Sequence, residues 1–261
     1  MCEPVQALLA EIGFEAFEDQ PDGTSAYVPV TQFDRERLED CLTVLETGLP
    51  PLSVHHHARI NWNARWEADY PSVYVDSFCQ IVPSFRAPLP GYAHTIIIDP
   101  KMSFGTGHHE TTRLMIRQLA RLAPAGQQVL DMGCGTGVLG ILAARMGAAA
   151  VTAIDIDPWS VENCGENILL NDTPQVQVLL GDASALPTQT FDLILANINR
   201  NVLLADLPAY VNRLAKEGIL VISGFYERDV PVLLQTCEAL GLKPDHALGD
   251  NDWTSLALRS V

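Results

Sequence analysis

The stretch VLDMGCGTGVLGILAARMG, residues 129–147, decides the fold of this chain. An apolar run ends at Asp131, three alternating glycines follow at Gly133, Gly135 and Gly137, and an apolar helical pattern begins directly after them. Glycine lacks a Cβ, so such a turn can adopt positive φ and let a ligand lie against bare backbone, while the helix N-terminus presents unpaired N–H groups. The pattern predicts a strand, a ligand-binding turn and a helix.

The glycine spacing discriminates between nucleotide ligands. A dinucleotide fingerprint needs G-x-G-x-x-G, but here the third glycine comes one residue early and Val138 occupies the expected position. An NAD-dependent oxidoreductase is therefore disfavoured. Asp131 would repel a pyrophosphate and suits a cationic ligand. The pattern D-x-G-x-G-x-G resembles motif one of class I methyltransferases, whose S-adenosylmethionine carries a sulfonium and an ammonium. Asp131, Gly133, Gly135 and Gly137 are accordingly candidate cofactor-binding residues.

A second stretch that is typical of a nucleotide-binding site follows the predicted helix. The stretch AVTAIDIDP, residues 150–158, reads as a buried strand that ends in Asp155 and Asp157. An acid about 20 residues beyond the glycines is where a ribose diol is held, because a carboxylate can accept from both hydroxyls. We assign that role to Asp155. Asp157 precedes Pro158, a favourable first helical residue, and is predicted to be an N-cap.

Composition and charge exclude several classes of function. No run of 18 uncharged apolar residues and no leader with a cleavage site is present, so we expect a cytoplasmic protein with no membrane partner. The six cysteines are scattered and form no C-x-x-C pair, which indicates reduced thiols and no metal site. The net charge of −16 argues against direct nucleic-acid binding and is compatible with a basic protein substrate.

The first 50 residues predict a small α+β domain. Helical spacing over residues 5–17 is interrupted at Gly13, a short strand is expected around residues 14–18, and a turn and second strand precede a helix over residues 34–45. Residues 51–70 are interpreted as a connector. Residues 71–261 form the large domain.

The large domain alternates strands and helices. Strands are predicted near residues 129–132, 151–155, 176–180, 191–196 and 218–223, and a helix near 228–240. Two extended runs, KPDHAL and TSLALRS, then flank turn residues 249–252 and must be antiparallel because the connection is so short. The prediction is a Rossmann-like α/β class I methyltransferase fold, a seven-stranded sheet with an antiparallel terminal hairpin.

Two segments select the substrate. FGTGHHETT, residues 104–112, has the composition of an active-site lid, and its HExx pattern lacks the second histidine of a zinc protease. His55, His56 and His57 are consecutive and cannot all face one ion on a strand. No metal is therefore expected in either place.

The other segment is LILANINRNVLL, residues 193–204, whose predicted strand ends at Asn197. Ligands of open α/β folds bind at this carboxyl edge, so Asn197 is expected to face the cofactor and its methyl acceptor. Methyltransferases that act on planar amides or adenine often carry Asn-Pro-Pro-Tyr here. The sequence Asn-Ile-Asn-Arg disfavours that chemistry.

DPKMSFGTGHHETT (99–112), LDMGCGTGVLGILAARMGA, AIDIDP and ANINRNVLL together resemble the ribosomal protein L-eleven methyltransferase family, PrmA-type, from Val5 onward. The resemblance implies trimethylation of the α-amine and of lysine ε-amines on that basic stalk protein, and a small N-terminal domain that recognises it. It also implies cofactor contacts at Thr112, Gly133, Asp155 and Asn197. The family opens with a strand, whereas this chain starts almost at its first helix, so the recognition domain is expected to lack an edge strand.

Methyl transfer from a sulfonium needs a neutral amine, so alignment and a lowered amine pKa are the expected contributions of the site. Asn197 and His109 are the candidate catalytic residues. His108 and His109 are the nearby titrating groups, and His109 either acts as a base or shapes the lid. Three alternatives stay open: a methyltransferase for another protein or a small-molecule amine, a non-catalytic binding module, and an oxidoreductase. We expect a monomer.

Overall fold

A computed structural model describes residues 2–21, 23–44, 52–56, 70–99, 101 and 105–261. The chain divides into two compact units, Met1–Asn61 and Trp62–Val261. The division falls inside the predicted connector, residues 51–70, of which 51 and 57–69 lie outside the described part. The domain boundaries set from the sequence therefore stay predictions.

The described residues of the first unit form two helices and a two-stranded antiparallel sheet. Helix α1 ends two residues before Gly13, whose φ of +102° is a left-handed conformation that interrupts the helix. Helix α2 begins one residue later than predicted because Asp34 is its N-cap and accepts from the Arg37 N–H. Leu9, Leu38 and Leu42 form a small core. The elements are α1 (Cys2–Glu11), β1 (Ala16–Gln20), β2 (Gly23–Tyr27), a 3-10 turn (Val30–Gln32) and α2 (Arg35–Leu42).

The second unit is built on a seven-stranded sheet, which confirms the predicted fold class. The strand order is β11-β12-β10-β9-β6-β7-β8, and β12 is antiparallel to both of its neighbours. The hairpin turn is shorter than predicted, because β11 continues through Gly249 to Asp250. The strands are β6 (Gln128–Met132), β7 (Ala150–Asp155), β8 (Val176–Leu180), β9 (Phe191–Asn197), β10 (Leu214–Tyr226), β11 (Leu242–Asp250) and β12 (Trp253–Ser260).

Helices cover both faces of this sheet. Alternate strand residues point to opposite sides, so Val129 joins the core with α3, α4 and α5 while Leu130 joins the core with α6 and α7. No helix in the described part of the chain is long and apolar enough to span a membrane. The helices are α3 (Glu110–Leu122), α4 (Val138–Arg145), α5 (Pro158–Leu170), α6 (Arg200–Val211) and α7 (Val230–Ala239).

A three-stranded sheet that the sequence did not predict precedes α3. It consists of β3 (Val73–Val75), β4 (Cys79–Val82) and β5 (His94–Ile97), with β3 antiparallel and β5 parallel to β4. Its buried residues join the same apolar core as α3 and α4. Strands of three or four residues carry too short a hydrophobic pattern to be recognised by periodicity. This sheet supports the segment that leads into α3.

Candidate active site

The three glycines form a tight loop between β6 and α4. Gly133, Gly135 and Gly137 have φ of +69°, +54° and +81°, a region that only glycine adopts without strain. The loop is also crowded. A Cβ on Gly133 would lie 2.3 Å from Ile198 Cγ2, and one on Gly137 would lie 2.4 Å from Cys164 Sγ. Glycine is therefore required both for the backbone conformation and for the space.

Asp131 is enclosed beneath this loop, with 1% of its surface exposed. Its Oδ2 accepts from the Gly140 N–H at 2.8 Å, and a Cβ on Gly140 would lie 3.1 Å from the same oxygen. Burial, together with the nearby Asp155 carboxylate, raises the pKa of Asp131 to about 7 against the lowering effect of the Gly140 N–H. A positive ligand in the loop would stabilise the ionised carboxylate.

Asp155 ends β7 and braces the glycine loop. Its Oδ2 accepts from the Gly135 N–H at 2.8 Å and its Oδ1 accepts from the Asp157 N–H at 2.9 Å. Each carboxylate oxygen can accept more than one hydrogen bond, so these contacts are compatible with a further role toward a diol. Asp157 caps α5 by accepting from the Trp159 N–H, which confirms its prediction as an N-cap.

Thr112 and Asn197, 85 residues apart in sequence, meet in the structure. Asn197 ends β9 at the carboxyl edge of the sheet, and Thr112 lies in the first turn of α3. The Asn197 Nδ2 donates to Thr112 Oγ1 at 3.5 Å. Asn197 also lies beside the glycine loop, because the next residue, Ile198, contacts Gly133. Two predicted site residues are thus brought together at the predicted edge.

His109 is the N-cap of α3. Its Nδ1 accepts from the Thr111 N–H at 3.3 Å, and its ring lies 4.6 Å from the Trp253 ring in an edge-to-face contact. It lines a cavity of about 350 Å³ with Thr112 and residues 105–108 and 110. The neighbouring His108 uses both ring nitrogens, toward Thr106 Oγ1 and the Pro71 carbonyl. His109 therefore has a structural role at the helix start, and because Nδ1 accepts a hydrogen bond, the neutral ring carries its proton on Nε2, which is a donor.

Two aromatic residues that the sequence pattern did not predict as site residues lie at the same edge. Trp253 and Tyr226 face each other across β12 and β10, with ring centroids 4.2 Å apart. The Arg228 guanidinium lies over the Tyr226 ring, 4.7 Å from its centroid. Their position at the ends of two strands is the signal that could have identified them. Trp253 contacts the His109 ring, and Tyr226 packs against Trp253.

The described residues fit S-adenosylmethionine. The glycine loop exposes backbone at a helix N-terminus, a carboxylate ends the next strand, and a buried carboxyl group lies where a cation would favour its ionisation. Among the described residues, no group of three or more His, Cys, Asp or Glu side chains could hold a metal ion. His57 lies outside the described residues, as does Phe104 of the predicted lid.

The sheet order and the glycine loop are those of the class I S-adenosylmethionine-dependent methyltransferases. Comparison with known proteins identifies a family within this class. A family model described as ribosomal protein L11 methyltransferase (PrmA) matches residues 15–260. The chain belongs to this family, as its resemblance indicated.

Individual relatives agree with the family match. A ribosomal protein L11 methyltransferase of Porphyromonas gingivalis is 44% identical, over 97% of this chain and 88% of that protein. One of Phocaeicola vulgatus is 42% identical, over 97% and 91%. The crystal structure of ribosomal protein L11 methylase from Lactobacillus delbrueckii subsp. bulgaricus superimposes with a TM-score of 0.69 and 29% identity, over 74% of this chain and all of that one.

Proposed function

We propose that this protein transfers methyl groups from S-adenosylmethionine to the α-amine and lysine ε-amines of ribosomal protein L11. The observation that carries the proposal is the proximity of the Asn197 and Thr112 side chains, 3.5 Å apart, beside the glycine loop. This position, at the carboxyl edge of the sheet, supports a role for both side chains, because ligands of open α/β folds bind at that edge. The family membership supports the choice of acceptor.

The geometry of the glycine loop supports our assignment of the cofactor contacts. Backbone atoms of Gly133, Gly135 and Gly137 would lie against the cofactor, and Asp155 would accept from its ribose hydroxyls. Asp131 would act through its charge from beneath the loop, since its carboxylate is enclosed. Thr112 and Asn197 would hold the methionine portion.

The sulfonium of the cofactor supplies the methyl group, and the protein supplies alignment. Asn197 uses Nδ2 toward Thr112, so we assign its carbonyl Oδ1 to accept from the acceptor amine. A lysine has a pKa of about 10.4 in water and must lose a proton before it attacks. A nearby cation and exclusion of water both lower that pKa. His109 shapes the entrance through its contacts with Thr111 and Trp253.

The remaining proposals concern substrate recognition, oligomeric state and the place in the cell where the protein acts. We propose that the first unit recognises L11, that the protein acts as a monomer, and that it acts in the cytoplasm without contacting membrane or nucleic acid. The charge of −16 supports attraction to a basic substrate. Light scattering of the purified chain, alone and with L11, tests the proposed monomeric state.

Intact-mass measurement of purified L11 after incubation with the protein and S-adenosylmethionine tests the function. We expect stepwise addition of methyl groups, and a loss of at least about tenfold in rate for Asn197→Ala, equivalent to roughly 1.4 kcal/mol of barrier. Asn199→Ser is the matched control, because serine keeps the N-cap that Asn199 provides to α6. Unmodified L11, with transfer to a free amine instead, would contradict the proposed acceptor.

A further inference from the structure

A buried amide side chain connects the glycine loop to the chain before α3. Asn167 lies on α5 with 1% of its surface exposed. Its Nδ2 donates to the Thr136 carbonyl oxygen at 2.9 Å and to Asn163 Oδ1 at 2.6 Å, and its Oδ1 accepts from the Asp99 N–H at 3.2 Å. The Asn167 side chain therefore bonds both to the loop that would bind the cofactor and to Asp99, which follows β5 in the chain.

Thr136 provides a second connection from the same point of the loop. Its side chain is fully buried, and its Oγ1 donates to the Gly105 carbonyl oxygen at 2.7 Å. Asp99 and Gly105 are thus both attached to the glycine loop, one through Asn167 and one through Thr136. An ion pair between Lys101 and Glu166 is a further contact between this part of the chain and α5.

The bond from Asn167 controls the orientation of one peptide group. The Thr136 carbonyl belongs to the peptide whose N–H is that of Gly137, and this N–H donates to the Cys134 carbonyl at 2.8 Å. Rotation of this peptide would leave the buried Asn167 donor without that acceptor, which costs free energy. Because glycines flank Thr136, the local backbone has little intrinsic preference of its own.

We propose that Asn167 and Thr136 are positioning residues for the cofactor. Asn167 selects one conformation of the glycine loop, and Thr136 places residues 105–112 against that conformation. Neither side chain needs to touch the cofactor. The inference rests on the proposed function in one respect, that the glycine loop binds S-adenosylmethionine.

Asn171 offers a matched comparison one helical turn further on. It is also buried, with 6% exposed, and it makes the same kinds of bond: Oδ1 accepts from the Ile97 N–H at 2.8 Å and Nδ2 donates to the Ile97 carbonyl at 2.6 Å. Its Nδ2 also donates to the Asn167 carbonyl within α5 at 2.8 Å, and none of these three bonds reaches the glycine loop. Truncation of Asn171 therefore removes comparable buried hydrogen bonds and leaves the loop contacts in place.

The experiment compares Asn167→Ala with Asn171→Ala in the full chain. Calorimetry with S-adenosylmethionine gives Kd, steady-state methylation of L11 gives KM for each substrate, and thermal melting reports folding. We expect Asn167→Ala to weaken cofactor binding at least tenfold and to leave KM for L11 within twofold. Asn171→Ala should keep Kd within twofold of the unmodified protein although its melting temperature falls as much or more.

A second pair keeps the test valid if Asn167→Ala does not fold. Thr136→Val preserves the shape of the side chain and removes the donor to Gly105, whereas Thr136→Ser keeps the hydroxyl. We expect Thr136→Val to weaken the cofactor at least threefold and Thr136→Ser to restore affinity. Equal Kd values across both pairs would overturn the inference. Failure of the unmodified protein to bind S-adenosylmethionine would instead contradict the proposed function.

Discussion

Burial of Asp131 disfavours its ionised form in the folded protein, and the same burial suits it to a cationic ligand. A buried carboxyl group without a positive partner is more stable protonated, and the pKa of Asp131 is raised to about 7 chiefly by loss of solvation. A cationic ligand bound above it would reverse this preference. We therefore expect the ionised form of Asp131 to be stabilised by the same event that fills the site.

Replacing Asp131 by asparagine should stabilise the protein and weaken the cofactor. The raised pKa means that the folded protein keeps a proton between about pH 4 and pH 7 that the unfolded chain releases, so stability falls as pH rises through this window. The Asp131→Asn variant has no such loss. Its side-chain carbonyl can still accept from the Gly140 N–H. We expect its melting temperature to exceed that of the unmodified protein by roughly 3 °C or more at pH 8.

Melting curves at pH 5 and pH 8, with calorimetry at pH 8, check this prediction. The stability difference should shrink at pH 5, and the affinity for S-adenosylmethionine should fall at least about tenfold, roughly 1.4 kcal/mol, at pH 8. A variant less stable than the unmodified protein at pH 8 would show that the carboxylate is compensated before ligand binds.

At the scale of elements, the segment before α3 depends on two glycines in left-handed conformations. Gly105 and Gly107 have φ of +97° and +91°. A Cβ on Gly105 would lie 2.9 Å from Thr136 Oγ1, and one on Gly107 would lie 2.3 Å from Ile81 Cδ1. The segment is therefore held by contacts with the glycine loop and with β4. Its placement positions Thr112 at the start of α3.

Gly105→Ala should lower turnover more than it lowers stability. A left-handed alanine costs about 1 kcal/mol or more wherever it occurs, and here the methyl group also pushes on Thr136. Gly91→Ala is the matched control, because Gly91 has φ of +95° and nothing within 4 Å of a Cβ. In single-turnover methylation at saturating cofactor, we expect a loss of at least about tenfold for Gly105→Ala alone. Similar rates for the two variants, with similar melting temperatures, would show that the glycine serves only the turn.

At the scale of the whole molecule, two units with separate cores divide the proposed tasks. The second unit contains every residue assigned to the cofactor, and the core of the first unit is small, with Leu9, Leu38 and Leu42 at its centre. With this arrangement the first unit can select the substrate while the second unit binds the cofactor and transfers the methyl group. The acidic charge of the chain favours encounter with a basic partner, most strongly at low ionic strength.

A chain that begins at Trp62 should bind S-adenosylmethionine and fail to methylate L11. This start keeps Tyr70, whose ring lies 5.4 Å from that of His108. We expect the cofactor Kd to stay within about threefold, roughly 0.7 kcal/mol, while the rate with L11 falls by at least about a hundredfold, roughly 2.7 kcal/mol. Calorimetry and intact-mass assays measure the two effects. Full activity toward L11 would assign the first unit another purpose.

Much of this protein could be predicted from the sequence alone. Local periodicity and turn residues indicate the glycine turn, the strand ends and the terminal hairpin. The seven-stranded fold and the N-cap at Asp157 could therefore be predicted from these local patterns. Boundaries moved where local geometry decided them. Helix α1 ends at Glu11 instead of Gly13, and β11 extends to Asp250.

Only the tertiary structure decided which distant residues meet. Thr112 and Asn197 are joined by a single hydrogen bond across 85 residues, and Asn167 reaches Thr136 and Asp99 from a helix with no distinctive motif. The short strands before α3 and the Trp253 contact with His109 are likewise absent from any local pattern. Local sequence determines backbone preference within a few residues, whereas contacts between elements depend on how the whole sheet and its helices pack.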